Sequence, residues 1–287
     1  MCYVILLPYP ERIKEMGFNL NCEKREMENA GRLNTGSELK KQVLFLSEYA
    51  SVLMGSGVHT SRVIRNTKRL GESIGLDVKL SGLHKSMILS AVDKKTEESF
   101  NTLTEVPHCP ISFEINTNLS RLSWEAYDEH LSFDEIKEKY TYLVNKPKLH
   151  LTVILLLSSL ANASFCALFG GDWFAMCIVF SATLIGMYTK QVMIAKKTNQ
   201  FLTFITCAFL SSMAASTATV FDTTAEIALA TSVLFLIPGV PLINGFMDIM
   251  EGHVLTGSAR LINAFLLILC IAIGLSVSIV LLKSSLL

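Results

Sequence analysis

Phe235-Leu-Ile-Pro-Gly-Val-Pro-Leu-Ile-Asn-Gly-Phe-Met-Asp-Ile-Met-Glu-Gly-His253 is the stretch whose reading decides the fold. It lies inside an apolar segment, yet it holds two prolines, three glycines, an asparagine and two acids. Pro238 and Pro241 lack an N–H and clash with the preceding turn, so a kinked or broken helix is expected here. In lipid every backbone polar group needs a partner, and a broken helix survives only against protein or a water-filled cavity. Broken membrane helices beside polar side chains are what transporters use to hold substrate.

The distribution of charge supports a membrane setting. The 287 residues carry 25 basic and 25 acidic side chains, with a mean hydropathy of +0.43. From Leu149 onward only five of each remain (Lys190, Lys196, Lys197, Arg260 and Lys283 against Asp172, Asp222, Glu226, Asp248 and Glu251), leaving twenty of each sign before it. The chain therefore reads as one aqueous and one lipid-facing half. Neither half has the basic excess that nucleic-acid binding requires. The seven cysteines show no CxxC and no zinc spacing, so neither a disulfide framework nor a metal site is expected, and no cofactor is implied.

Residues 1–37 are mixed in charge and weakly patterned, and read either as a disordered N-terminal extension or as a start placed too early, with Met16 or Met27 as alternatives. Residues 38–147 form a small cytoplasmic α+β domain in this reading. Helices run from Glu38 to about Met54 and from Thr60 to Ile74. Strands are expected at Val78–Leu83 and Ser86–Val92, with a second pair at Asn101–Val106 and Ile111–Asn116. Two more helices follow, Asn118–His130 and one opened by the capping box Ser132-Phe-Asp-Glu135. Residues 148–287 form a membrane domain with five apolar segments, about 149–169, 172–190, 201–220, 225–247 and 261–282. Each is near the ~20 residues that cross a ~30 Å hydrocarbon core. The fold class is an α-helical membrane protein of five transmembrane helices preceded by the small α+β domain. Lys146 and Lys148 precede the first span, Lys190, Lys196 and Lys197 close the second, and Arg260 precedes the fifth. The positive-inside rule then puts the N-terminal domain in the cytoplasm and the C-terminus outside.

Pro241 suits the first turn of a restarted helix, and Gly239 can take backbone angles closed to other residues. The restart frees N–H groups that can hold a carboxylate. Asn244, Asp248 and Glu251 then fall at i, i+4 and i+7 on one face, as a path for substrate or protons or, alternatively, as solvated interfacial acids. Ala208, Ser212 and Ser216 form a small-residue stripe that reads as close helix packing in preference to a hydroxyl-lined path. Asn162 and Asn263 must face protein or water, as interhelical partners or pore-lining groups. Thr223-Thr-Ala-Glu226 fits a capping box. In the aqueous half, Gly55-Ser-Gly-Val-His-Thr-Ser-Arg62 is no phosphate loop, because no Gly-Lys-Ser/Thr follows. It reads as a helix–turn–helix corner capped by Thr60 or Ser61, with Arg62 pairing to an acid.

Two motifs in order, Gly-x-x-Thr-Ser-Arg-Val (Gly57 to Val63) and Pro-Gly-x-Pro-Leu-Ile-Asn-Gly-x-x-Asp (Pro238 to Asp248), with Gly257-x-x-Arg260 downstream, resemble the threonine/serine exporter (ThrE) family. The likeness is to the YjjP-type subunit of its two-component form and covers roughly residues 38–285. It implies export of small carboxylate metabolites, threonine/serine or succinate-like dicarboxylates, across the bacterial inner membrane, driven by the proton motive force. Single-chain members have about ten spans. Five therefore imply half a transporter that assembles with a YjjB-type membrane subunit, with further copies of itself, or with both. The motif positions carried over are Gly57, Thr60, Ser61, Arg62, Pro238, Gly239, Pro241, Asn244, Gly245, Asp248 and Arg260, with Glu251 added on the shared face. Asp248 is the expected proton carrier, Asn244 would orient substrate, and Arg260 would attract anions or fix topology. The rival readings are a membrane-anchored cytoplasmic enzyme or sensor, which five spans exceed and no catalytic motif supports, and a passive metabolite pore.

Overall fold

The computed structural model describes residues 34–285 apart from 84, 108, 147, 148, 220 and 222, so the expectations for residues 1–33 fall outside the described residues. The chain divides into two compact units. Among the described residues, one joins 34–146 with Val240–Leu261, and the other joins 149–239 with 262–285.

The first unit is an α/β body. Helix α1 (Asn34–Gly55) carries Leu39, Val43, Leu46, Tyr49, Ala50 and Leu53 on a buried face, and opens four residues before the expected Glu38. Helix α2 (Thr60–Ser73) follows a three-residue break plus His59. Strands β1 (Leu76–Gly82), β2 (Ser86–Asp93) and β3 (Ser99–Glu105) form an antiparallel sheet in the order β1-β2-β3, with Val78 opposite Ala91 and Leu89 opposite Thr102. Leu76, Val78, Met87, Leu89 and Ala91 alternate onto the face that α1 and α2 cover, and so share their core. Ile88 and Leu103 lie on the opposite, open face.

Ile111–Asn116 is not a strand. Ser112 accepts from the Ile115 N–H at 3.3 Å, and helix α3 (Phe113–Asp128) starts there, because capping chemistry outweighs the β propensity of Ile111 and Phe113. Helix α4 (Phe133–Asn145) opens with the expected capping box, both halves of which are formed between Ser132 and Glu135. The unit is completed by helix α9 (Gly239–Met250) from Val240 on and by the first turns of helix α10 (Val254–Ser285).

In the second unit, α5 (Leu151–Leu168), α6 (Trp173–Ala195) and α7 (Gln200–Ala215, extended by a 3-10 turn to Thr219) pack antiparallel in sequence. Helix α8 is short (Ala225–Thr231) and is followed by a 3-10 turn, Leu234–Leu236. Thr223 and Glu226 do not form a capping box. The Thr223 hydroxyl donates to Ala218 O, and the N-cap Thr224 commits its hydroxyl to Asp172, 2.8 Å away. That bond holds the Asp172 carboxylate below its ordinary pKa, and Asp172 in turn caps α6. The Ala208–Ser212–Ser216 stripe is buried. Ser212 and Ser216 bond to their own helix, and a Cβ on Gly274 of α10 would come within 2.8 Å of the Ala208 methyl. Close packing is what the stripe provides.

Among the described residues four helices are long and apolar enough to cross a membrane (Leu151–Leu168, Trp173–Ala195, Gln200–Thr219 and Val254–Leu282). A fifth is counted if Ala225–Leu236 and Gly239–Met250 form one broken span.

Candidate functional site

The α1–α2 corner is set by Gly57. Its φ of +95° is open to glycine, and Gly57 N–H and Val58 N–H close the end of α1 onto Met54 O and Leu53 O. A Cβ at Gly57 would also lie 3.2 Å from the Ile111 side chain. Ser56 is pinned from α3. Its carbonyl accepts from Ser112 N–H and from the Asn116 amide, and its hydroxyl bonds Asn116 Oδ1. Three hydrogen bonds thus tie the corner to α3 and the residue before it.

What docks on it is the polar face of α9. Asn244 Nδ2 donates to Gly57 O at 2.8 Å. Asp248 Oδ1 accepts the Thr60 N–H at 2.7 Å, and Oδ2 accepts the Thr60 hydroxyl at 3.0 Å. Glu251 Oε2 lies 3.8 Å from His59 Nε2. The i, i+4, i+7 spacing puts three polar side chains, each one turn further along α9, on one corner. The corner was expected to cap α2 with Thr60 or Ser61. Instead the N-cap residue is His59, whose side chain makes no cap bond, and the Asp248 carboxylate serves as the cap. A carboxylate at a helix N-terminus is favoured both by the free N–H groups and by the helix dipole.

Arg260 completes the constellation. Its Nη1 is 3.0 Å from Asp248 Oδ2, off the line of a good hydrogen bond, while Nη2 donates to Val58 O at 3.2 Å. Asp248 is fully buried, so the guanidinium is its charge balance. Arg260 reaches it because α9 and α10 form a tight hairpin. Gly252 has φ +89°, and Gly252 N–H and His253 N–H bond back to Ile249 O and Asp248 O. Gly245 and Gly257 let the two helices touch, since a Cβ at Gly257 would stand 2.6 Å from Gly245 O. Thr256 adds a bond from its hydroxyl to Gly82 O at the end of β1.

The structure therefore brings together Gly57, Thr60, Asn244, Gly245, Asp248, Glu251 and Arg260. It does not bring Ser61 or Arg62 into this cluster. Arg62 was expected to pair with an acid, but it donates to Ser120 Oγ at 3.0 Å, beside Asn66, on the α2–α3 interface. Pro238 lies in the break between the 3-10 turn and α9, and Pro241 sits in the first helical turn, where its missing N–H is not needed. Gly239 has no positive φ, and nothing lies within 4 Å of the Cβ it lacks, so neither strain nor crowding requires glycine there. His59 and Thr256 were missed by the sequence reading. His59 had a signal in its place directly before the helix, and Thr256 had none.

Four helices of membrane-spanning length among the described residues, or five if the broken pair is one span, mark a multi-pass membrane protein. The sequence comparisons place it more narrowly. Residues 44–282 match the family described as putative threonine/serine exporter, and the chain belongs to that family. It is 27% identical over 242 residues to the "Probable succinate transporter subunit YjjP" of Klebsiella aerogenes, covering 83% of this chain and 93% of the relative. It is 28% identical over 229 residues to the protein of the same name from Escherichia coli K12, covering 77% and 87%. No solved structure matches the chain.

Proposed function

We propose that this chain is one subunit of a proton-motive-force-driven exporter of small carboxylate metabolites in a bacterial inner membrane, assembled with a second, YjjB-type membrane subunit. The observation that carries the reading is the family match across residues 44–282, which takes in both the corner and the helix latched to it. The names of the relatives favour succinate, and the word subunit in them favours a partner. Residues 38–147 face the cytoplasm and 148–287 form the membrane domain. The basic residues Lys190, Lys196 and Lys197 at the close of α6 and Arg260 at the start of α10 support that orientation.

In this mechanism the substrate and proton path runs along Pro238, Gly239, Pro241, Asn244, Gly245, Asp248, Glu251 and Arg260, with Gly57, Thr60, Ser61 and Arg62 as the cytoplasmic motif. Both Asp248 oxygens are engaged by Thr60, and Oδ2 also faces Arg260. A proton arriving on Asp248 Oδ2 competes with the Thr60 hydroxyl and with Arg260, leaves Oδ1 to the Thr60 N–H, and loosens α9 from the corner. Proton entry thereby becomes a movement of the helix that follows the break. The test is uptake into proteoliposomes holding this chain and its partner, with succinate, threonine and serine side by side, with and without an imposed pH gradient. Accumulation that collapses without the gradient supports the reading. Accumulation that is indifferent to the gradient, together with an Asp248→Asn variant of unchanged pH profile, removes the coupling role.

A further inference from the structure

We infer that Lys190, on α6 in the helical unit, is the counter-charge that receives the substrate carboxylate at the cytoplasmic end of the membrane domain. This inference rests on the exporter reading above, and extends it to a part of the chain that the latch does not touch. Lys190 is five residues inside the end of α6, about 7–8 Å at the rise of an α-helix. It shares a helix face with Gly186 and Thr183, at i−4 and i−7. That face turns inward. A Cβ on Gly186 would collide with Ser211 Oγ of α7 and the Phe235 ring, and Thr183 is fully buried. The Lys190 ammonium lies over the Phe204 ring, 5.2 Å from its centroid, and the titratable group facing it is Cys207; both belong to α7.

No carboxylate lies within ion-pair distance of Lys190 among the described residues. Phe204 offers its ring face, which steadies a cation without neutralising it. A half-buried cation turned inward among membrane helices is costly, and such residues mark ligand or ion pathways. The chemistry that fits is a carboxylate, which accepts hydrogen bonds from the ammonium and removes the unpaired charge. Polar groups continue inward from this point. Ser211 Oγ donates to Ala182 O at 3.3 Å, Asn162 Nδ2 donates to Thr183 Oγ1 at 2.7 Å, and the same amide donates to Thr231 O at 3.0 Å where α8 ends.

The experiment uses the full chain with its partner in proteoliposomes and measures half-saturation for succinate. Lys190→Met is expected to raise it about tenfold or more, Lys190→Arg to stay within about threefold, and Lys196→Met at the exposed helix end to be nearly silent. As a readout that needs no variant, succinate is expected to slow acylation of Lys190 by an amine reagent and to leave Lys197 unaffected. Wild-type half-saturation in Lys190→Met, an equal effect from Lys196→Met, or no protection of Lys190 by succinate would each overturn the assignment. If the wild-type assembly moves no carboxylate at all, the exporter reading fails instead, and that outcome is distinct from transport that ignores Lys190.

Discussion

Asp248 caps the helix that Thr60 begins, across 188 residues of sequence, with 2.7 Å from the Thr60 N–H to one carboxylate oxygen and 3.0 Å from its hydroxyl to the other. A helix placed after a membrane-type break is thereby part of the α/β unit, and its polar face is spoken for by the corner. Asn244 and Glu251 meet the same corner on either side of Asp248.

Removing Asp248 leaves Arg260, 14% exposed at its side chain, without its charge partner and Thr60 without its acceptors. Asp248→Ala should cost about 3–5 kcal/mol, the range for breaking a buried pair, and Asp248→Asn less, because an amide oxygen still accepts from Thr60. Thermal unfolding of the purified chain in detergent checks this. In the double variant with Arg260→Ala the loss should fall short of the sum of the two singles.

Three glycines of the motif region should respond differently. Gly57→Ala forces a side chain into φ +95° and against Ile111, costing about 1–2 kcal/mol from the backbone alone. Gly257→Ala pushes α9 from α10, because its methyl would stand 2.6 Å from Gly245 O. Gly239→Ala meets nothing within 4 Å and should change stability by about 1 kcal/mol or less. Melting temperatures of the three variants, measured together, test the ordering.

His59 makes the latch sensitive to acid. Burial is the largest influence and holds the imidazole below its ordinary range, with Glu251 and Asp248 pulling it up and Arg65 and Arg62 pushing it down. The unfolded chain then binds a proton more readily than the folded one. Stability rises with pH through the histidine range, and falls as pH drops below the ordinary value of 6.5. Glu251→Gln removes an opposing charge, so its melting temperature should drop further than wild type on acidification. His59→Gln should flatten the same profile. A His59→Gln profile as steep as wild type would assign the acid sensitivity elsewhere.

Asn162 ties α5 to α6 and α8 through Thr183 Oγ1 and Thr231 O. Asn162→Leu should lower thermal stability by about 0.6–1.7 kcal/mol, the range of interhelical hydrogen bonds in membranes. A loss of transport without any loss of stability would instead mark Asn162 as a group that meets substrate.

Local chemistry explains what could be read from the sequence. Pro238 and Pro241 announce the break because a missing N–H acts on the residue's own turn. The spacing of Asn244, Asp248 and Glu251 announces their shared face because a helix has one period. Gly57 and the Ser132–Glu135 box are likewise decided within a few residues. What Asp248 meets is not local, and one sequence contains no signal pairing it with Thr60. Arg62 and Arg260 show the same limit. Both are arginines in motif-like strings, yet one bonds Ser120 on α3 and the other crosses from α10 to Val58 and Asp248. Ile111–Asn116 misled for a different reason, since its alternation suits a strand, and only the Ser112 cap and the docking of Asn116 on Ser56 favour the helix.

The most direct measurement of the central claim is succinate efflux from loaded cells lacking their own exporter and producing this chain alone, the YjjB-type partner alone, or both. The account predicts efflux above background only with both, abolished by a protonophore and sharply reduced by Asp248→Ala. Full efflux from this chain alone, or efflux from the pair that a protonophore leaves untouched, would contradict it.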